Sequence, residues 1–257
     1  MPQAFGQDVR LDVVDGVAHV TLDRPDRLNA IRSQTLTELA AVLDHLDAEP
    51  TVGVLVIEGA GRAFCAGADV AEIDRLDDAG GDAFSRRGQQ VFDRIATGPL
   101  VAVACVHGYA LGGGLELAMA CDVRLAARSA FLGQPESGLG HLPAWGATQR
   151  LPGLVGWATA LGLFLSGRRV NAAEALRLGL VDEVADDELF QETTRQWIAR
   201  LSAAPVAVSR AVKEAMAAGQ RAGRDAGFGA ERAGMAVCRG RADSVQRRAR
   251  FLTHTDR

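Results

Sequence analysis

The chain alternates at least twice between an apolar run of strand length, a glycine-bearing turn and a segment with helical patterning. That recurrence restricts it to an α/β architecture. "VGVLVIEG" leads into "GRAFCAGADVAEI", and "LVAVACVHG" leads into "YALGGGLELAMACD". Continuous apolar runs suit strands covered on both faces. In such a domain, ligand groups gather at the strand-to-helix turns.

Other segments fill in around this pattern. "VRLDVVDGVAHVTLDRP" alternates apolar and polar residues about Asp15-Gly16, a dipeptide that favours a tight hairpin. Ser33 is expected to cap a helix in which Leu36, Leu39, Ala40, Leu43 and Leu46 recur at helical spacing, with Pro50 as its stop. Asp82 to Ile95 predicts a further helix, and "DVRLAA" and "SAFLGQPE" predict short strands. From about Gly146 the pattern is helical, interrupted by the expected strand "LVDEVA". The tail from Gly219 is rich in Arg, Ala and Gly.

Composition narrows the class of partner. A net charge of −4 over 257 residues gives no basic footprint for nucleic acid. Local N–H groups and a few arginines could still hold phosphates. The start "MPQAFGQDVRLDVV" lacks a basic segment followed by an apolar one, so no secretory signal is expected. No apolar run is long enough to span a bilayer. Cys65, Cys105, Cys121 and Cys238 are widely spaced and read as reduced thiols of a cytoplasmic protein. The five histidines form no metal-binding pair, so no metal is expected.

Three short motifs carry the chemistry. "FCAGAD" and "GGG" followed by Glu116 each end a buried strand. Taken singly, either is a common packing device. Taken together they offer two N–H-bearing turns, which is what an oxyanion hole requires. "FLGQPESGLGHLP" adds Glu136 among Phe131, Leu132, Leu139 and Leu142, and Glu116 lies between Leu115 and Leu117. Apolar surroundings disfavour the charged carboxylate, as acid/base work requires.

The ordered set "RPDRLNAI", "GAGRAFCAGAD", "VHGYALGGGLELAMACD", "FLGQPESGLGHLPAWGATQRL" and "SGRRVNAAEALRLGLVDEV" resembles the crotonase family, the enoyl-CoA hydratase/isomerase superfamily. The resemblance implies an α/β fold, a spiral of ββα repeats with a C-terminal helical region that mediates trimer formation. It places the core at 1–200 and the helical region at 201–257. It implies oxyanion-hole N–H groups at Ala68 and Gly113. It implies acyl-CoA contacts at Leu28, Ala66 and Asp69, with Arg27 as a looser phosphate contact. Glu116 and Glu136 match the two hydratase glutamates.

The implied reaction is hydration of a 2-enoyl-CoA, with coenzyme A as part of the substrate and no other cofactor. A homotrimer or dimer of trimers is the implied assembly. A Δ3,Δ2-enoyl-CoA isomerase working through Glu136, and a non-catalytic acyl-CoA binder, are the alternatives. Two departures stand out. Most hydratases carry "PGxGGTQRL" where this chain has "PAWGATQRL", with Ala144, Trp145 and Ala147. The tail "AERAGMAVCRGRADSVQRRARFL" matches the family's CoA-contacting end poorly.

Overall fold

The computed structural model describes residues 3–255. Its first part runs β1 (Gln3–Ala4), β2 (Val9–Val14), β3 (Val17–Leu22), α1 (Ser33–Asp47), β4 (Val54–Gly59), α2 (Val70–Ile73) and α3 (Asp78–Thr97). Then come β5 (Val101–Val106), β6 (Tyr109–Leu111), α4 (Gly113–Ala120), β7 (Val123–Ala127) and β8 (Phe131–Gly133). The rest is α5 (Ala147–Val155), α6 (Trp157–Ser166), β9 (Arg169–Asn171), α7 (Ala172–Arg177), β10 (Glu183–Ala185), α8 (Phe190–Ser202), α9 (Val206–Ala222), α10 (Arg224–Gly240) and α11 (Ala242–Thr255).

A seven-stranded sheet has the order β1-β2-β3-β4-β5-β7-β10, and a three-stranded sheet has the order β6-β8-β9. β2 and β3 pair antiparallel across Asp15 and Gly16, whose φ values of 50° and 78° give the expected hairpin. From β3 onward the large sheet is parallel.

A repeating unit explains how the two sheets relate. Each of β3, β4, β5 and β7 is followed by a short contribution to a second layer, and then by a helix. β5–β6–α4 and β7–β8–α5 are full units. In the earlier units the second strand shrinks to a bridge: Ile31 pairs with Ala68, and Cys65 pairs with Ala110. The chain is therefore a spiral of ββα turns, as the family resemblance implied. The short strand β6 lies in the glycine-bearing turn, and β9 in the region where a helical pattern is expected. A three-residue strand carries too little alternation to register as a pattern.

The apolar runs are buried on both faces. Val54, Val56, Val103, Cys105 and Leu125 pack toward Phe190, Trp197 and Ile198 of α8. Their neighbours Leu55, Ile57, Ala102, Ala104 and Val106 face Leu36, Leu39, Val91, Phe92 and Leu115 of α1, α3 and α4. Alternate side chains of one strand thus enter different cores, which removes the polar alternation of a half-exposed strand.

Two boundaries differ from expectation. Ser33 is the first residue of α1 and not its cap; the cap is Arg32, whose N–H donates to Thr35 Oγ1 at 3.2 Å. The Ser33 N–H is satisfied instead by Glu72 Oε2 at 2.9 Å, a partner that only the fold supplies. α3 begins at Asp78, capped by Asp77 accepting from the Gly80 N–H, ahead of the expected start at Asp82. The Arg-rich tail is helical in α10 and α11, and α10 lies along α9, where Gly219 and Gly227 let the backbones approach.

Candidate active site

The "FCAGAD" and "GGG" turns are held side by side by backbone pairing. Cys65 N–H donates to Tyr109 O at 2.9 Å, and Leu111 N–H donates to Cys65 O at 3.0 Å. Gly67 has φ of 115°, a conformation that an L side chain rarely adopts. A methyl there would also meet Leu111 O at 3.0 Å and the Gly113 nitrogen at 3.6 Å. A methyl on Gly113 would lie 3.3 Å from the Ala68 nitrogen. The two N–H groups therefore sit on adjoining backbone, and neither donates to an acceptor among the described residues. Gly113 is the first residue of α4, so its N–H also has the positive end of the helix dipole behind it.

Both glutamates reach the same space. A cavity of about 390 Å³ is lined by Ala66, Ala68, Gly113, Glu116, Glu136 and Trp145, among others. Glu116 is 2% exposed, and its Oε1 accepts from the N–H groups of Trp145 at 2.8 Å and Ala147 at 2.9 Å. Burial pushes its carboxyl up from the ordinary range. Those N–H groups and the Arg150 charge oppose the rise. Glu136 follows β8 at the start of a short 3-10 turn, and burial pushes its carboxyl up to about 7. Its own backbone N–H opposes this, and the nearby Glu116 charge adds to it. The result is two carboxyls in one cavity with different support. One is held by backbone donors and the other is left without a cation.

Several supporting residues carried no legible signal. Gln134, 1% exposed, donates its amide nitrogen to both Glu136 oxygens at 3.0 and 2.9 Å when its side chain is oriented to satisfy them. The loop that offers N–H groups to Glu116 is itself pinned through its carbonyls. Gln89 Nε2 donates to Ala144 O at 2.8 Å, and Arg150 Nη1 donates to Trp145 O at 2.9 Å. Ile73, Leu76 and Phe84 of the α2–α3 region complete the apolar wall. In sequence they look like any core-facing residues, because helical spacing does not distinguish a cavity wall from a core. The order "GQPE" was the one available pointer to Gln134.

The structure brings Glu116, Glu136, Ala68, Gly113 and Ala66 to the cavity, and it leaves Arg27, Leu28 and Asp69 off its wall. Leu28 is adjacent, its carbonyl accepting from the Ala66 N–H at 2.9 Å. The Asp69 carboxylate is engaged by Arg24 Nη2 at 3.0 Å, and Arg27 is exposed on the surface. Asn29 ties this segment to the oxyanion turn by donating to Ala60 O and Ala63 O, both at 2.8 Å. Among the described residues, no group of three or more His, Cys, Asp or Glu is placed to hold a metal. None of the described helices is long and apolar enough to cross a membrane. Burial pushes the thiols of Cys65, Cys105 and Cys121 up to about 12, which makes them inert.

The chain is similar to known proteins over most of its length. The short-chain-enoyl-CoA hydratase of Clostridium acetobutylicum is 40% identical over 203 residues, 78% of each chain. The crotonyl-CoA hydratase of Syntrophomonas wolfei is 35% identical over 96% of this chain and 95% of its own. The crystal structure of an enoyl-CoA hydratase from Bacillus anthracis superposes with a TM-score of 0.91 at 31% identity, covering 96% of this chain and 97% of that one. The sequence model of one family, described as Enoyl-CoA hydratase/isomerase, matches residues 12–247. With its spiral of ββα units and paired N–H turns, the chain belongs to the enoyl-CoA hydratase/isomerase family, the crotonases.

Proposed function

We propose that this protein is a hydro-lyase that adds water across the double bond of a 2-enoyl-CoA thioester, giving a 3-hydroxyacyl-CoA. The observation that carries the reading is the convergence of two carboxyls and two undonated N–H groups on one cavity. The Ala68 and Gly113 N–H groups hold the thioester oxygen as negative charge develops on it. Glu116, as the carboxylate, takes a proton from water while the water oxygen bonds to C3. Glu136, as the acid, gives its proton to C2. A carboxyl that titrates at about 7 is suited to hold that proton near neutrality. One turnover leaves Glu116 protonated and Glu136 ionised, and exchange with water through the cavity mouth resets the pair.

The names of the relatives, a crotonyl-CoA hydratase and a short-chain-enoyl-CoA hydratase, agree with this chemistry. Coenzyme A enters as part of the substrate, and the steps call for no metal or redox group. Arg27, Leu28, Ala66 and Asp69 are assigned to the path of the CoA moiety beside the cavity. A homotrimer or dimer of trimers in the cytoplasm completes the reading. Trp157, Leu161 and Leu165, an exposed apolar stripe on α6, support an assembled state that light scattering would measure.

The deciding assay gives crotonyl-CoA and a 3-enoyl-CoA to the purified protein, to Glu116→Ala and to Glu136→Ala. Hydration lost in both variants is the expected result. Isomerisation that survives Glu116→Ala would make the protein an isomerase, and binding without turnover would refute enzymatic function.

A further inference from the structure

One part of the cavity wall is the indole of Trp145, packed against the core behind it. Trp145 is 3% exposed and lines the cavity, yet it backs onto Phe92 and Gly88, neither of which reaches it. Phe92 meets the indole edge to face, with ring centres 5.5 Å apart, and Phe84 does so at 5.1 Å from the cavity side. A methyl on Gly88 of α3 would come within 2.2 Å of indole Cδ1 and Nε1. A methyl on Gly113 of α4 would come within 2.4 Å of Cζ3. The indole therefore fills the full gap between two helices, and both flanking positions are residues without a side chain. Its backbone is fixed separately, by the bond from Trp145 N–H to Glu116 and by Arg150 on its carbonyl.

We propose that Trp145 is the residue that sets acyl-chain length, its indole closing the inward end of the cavity so that the site takes short 2-enoyl chains. The inference rests on the acyl-CoA reading above and adds the substrate's size class. Beyond the two glutamates, a growing chain that pointed inward would strike the indole. It would have to turn toward Leu139 and Leu142, which are 56% and 72% exposed. Methylenes placed there stay partly in water and add little affinity. Removing the indole joins the cavity to the space in front of Phe92 and Gly88, where further methylenes are buried.

The test measures binding and turnover separately across a chain-length series. Butyryl-, hexanoyl-, octanoyl- and decanoyl-CoA are titrated calorimetrically into the wild type, Trp145→Phe and Trp145→Ala. The matching 2-enoyl-CoAs are assayed for kcat/KM. All three proteins keep the backbone N–H that holds Glu116, and circular dichroism checks their folding.

In the wild type, affinity is expected to stop rising after the shorter chains. In Trp145→Ala it is expected to go on rising by up to about fourfold per added methylene, with Trp145→Phe between them. The same chain-length dependence in wild type and Trp145→Ala would overturn the proposal. So would a wild type that gains steadily through decanoyl-CoA, a result that stands even if Trp145→Ala fails to fold. Binding of acyl-CoA without hydration would sink only the reaction assigned above. Failure to bind any acyl-CoA would sink both.

Discussion

Replacing Glu136 with Gln should stabilise the fold at alkaline pH while sharply slowing turnover. The carboxyl titrates at about 7 in the folded protein against an ordinary value of 4.5, mainly because it is buried. Below about pH 4.5 it is protonated in both folded and unfolded chains and costs the fold nothing. Between 4.5 and about 7 the unfolded chain gives up the proton first, so the native state binds more protons and stability falls as pH rises. Above about 7 the whole cost is present.

At ~1.36 kcal/mol for each pH unit, that interval is worth about 3 kcal/mol. Water reaching the part-exposed carboxylate reduces it to about 2 kcal/mol. Gln has nearly the same shape and no charge, so Glu136→Gln escapes the cost. In a protein of this size, about 2 kcal/mol corresponds to a gain of roughly 4–8 °C in Tm. Scanning calorimetry of both proteins at about pH 5 and about pH 8, at one protein concentration, measures it. A Tm difference between the two proteins that stays the same at both pH values would refute the reasoning. The variant should also lose about 10²–10⁴-fold in kcat, the usual contribution of a general acid. The catalytic carboxyl is then a site where function is held at the expense of stability.

Arg150→Met should move the acidic limb of the pH profile of kcat/KM to higher pH. It removes the cation that opposes the burial of Glu116 and leaves Asp93, its partner at 3.7 Å, uncompensated. Glu136 and the neutral Cys121 are the other titratable groups coupled to this pair, and Arg150→Lys should restore part of the shift. An unmoved limb would show that Arg150 acts by holding the Trp145 carbonyl and not through its charge on Glu116. Lys213→Met should lower the urea midpoint by an amount equivalent to about 3–5 kcal/mol, with activity retained under conditions where the protein is folded. The Lys213 Nζ donates to Ile95 O at 2.9 Å, Leu100 O at 2.6 Å and Asp122 Oδ2 at 2.7 Å, so its loss takes this donor from two carbonyls and the cation from Asp122, which keeps only the Ala102 N–H, at a place off the cavity wall. An unchanged midpoint would contradict this.

The local sequence determined the elements whose signal is short in range. Asp15-Gly16 dictates its hairpin because the backbone there must take positive φ. "VLVI" dictates a two-faced strand because every side chain in it is apolar. Gly112 and Gly113 mark the start of α4, and with it the place of Glu116 one turn on. Order and spacing of the motifs were also enough to pick out both glutamates and both N–H turns, since each lies at a strand-to-helix junction.

Tertiary structure decided everything that depends on partners distant in sequence. Ser33 lies one residue inside α1, and its N–H is satisfied by Glu72, brought in by α2, a partner 39 residues away that no local pattern announces. The different support of Glu116 and Glu136 exists because Trp145, Ala147 and Arg150 fold back over one carboxyl, while the other meets Gln134 and its own backbone N–H and no cation. The indole of Trp145 becomes the end of the cavity through Gly88, Phe92 and Gly113, residues on two other helices. A side chain's identity is written locally. Its ionisation and its role as a wall come from the surfaces that exclude water from it, and those are assembled only in the folded spiral.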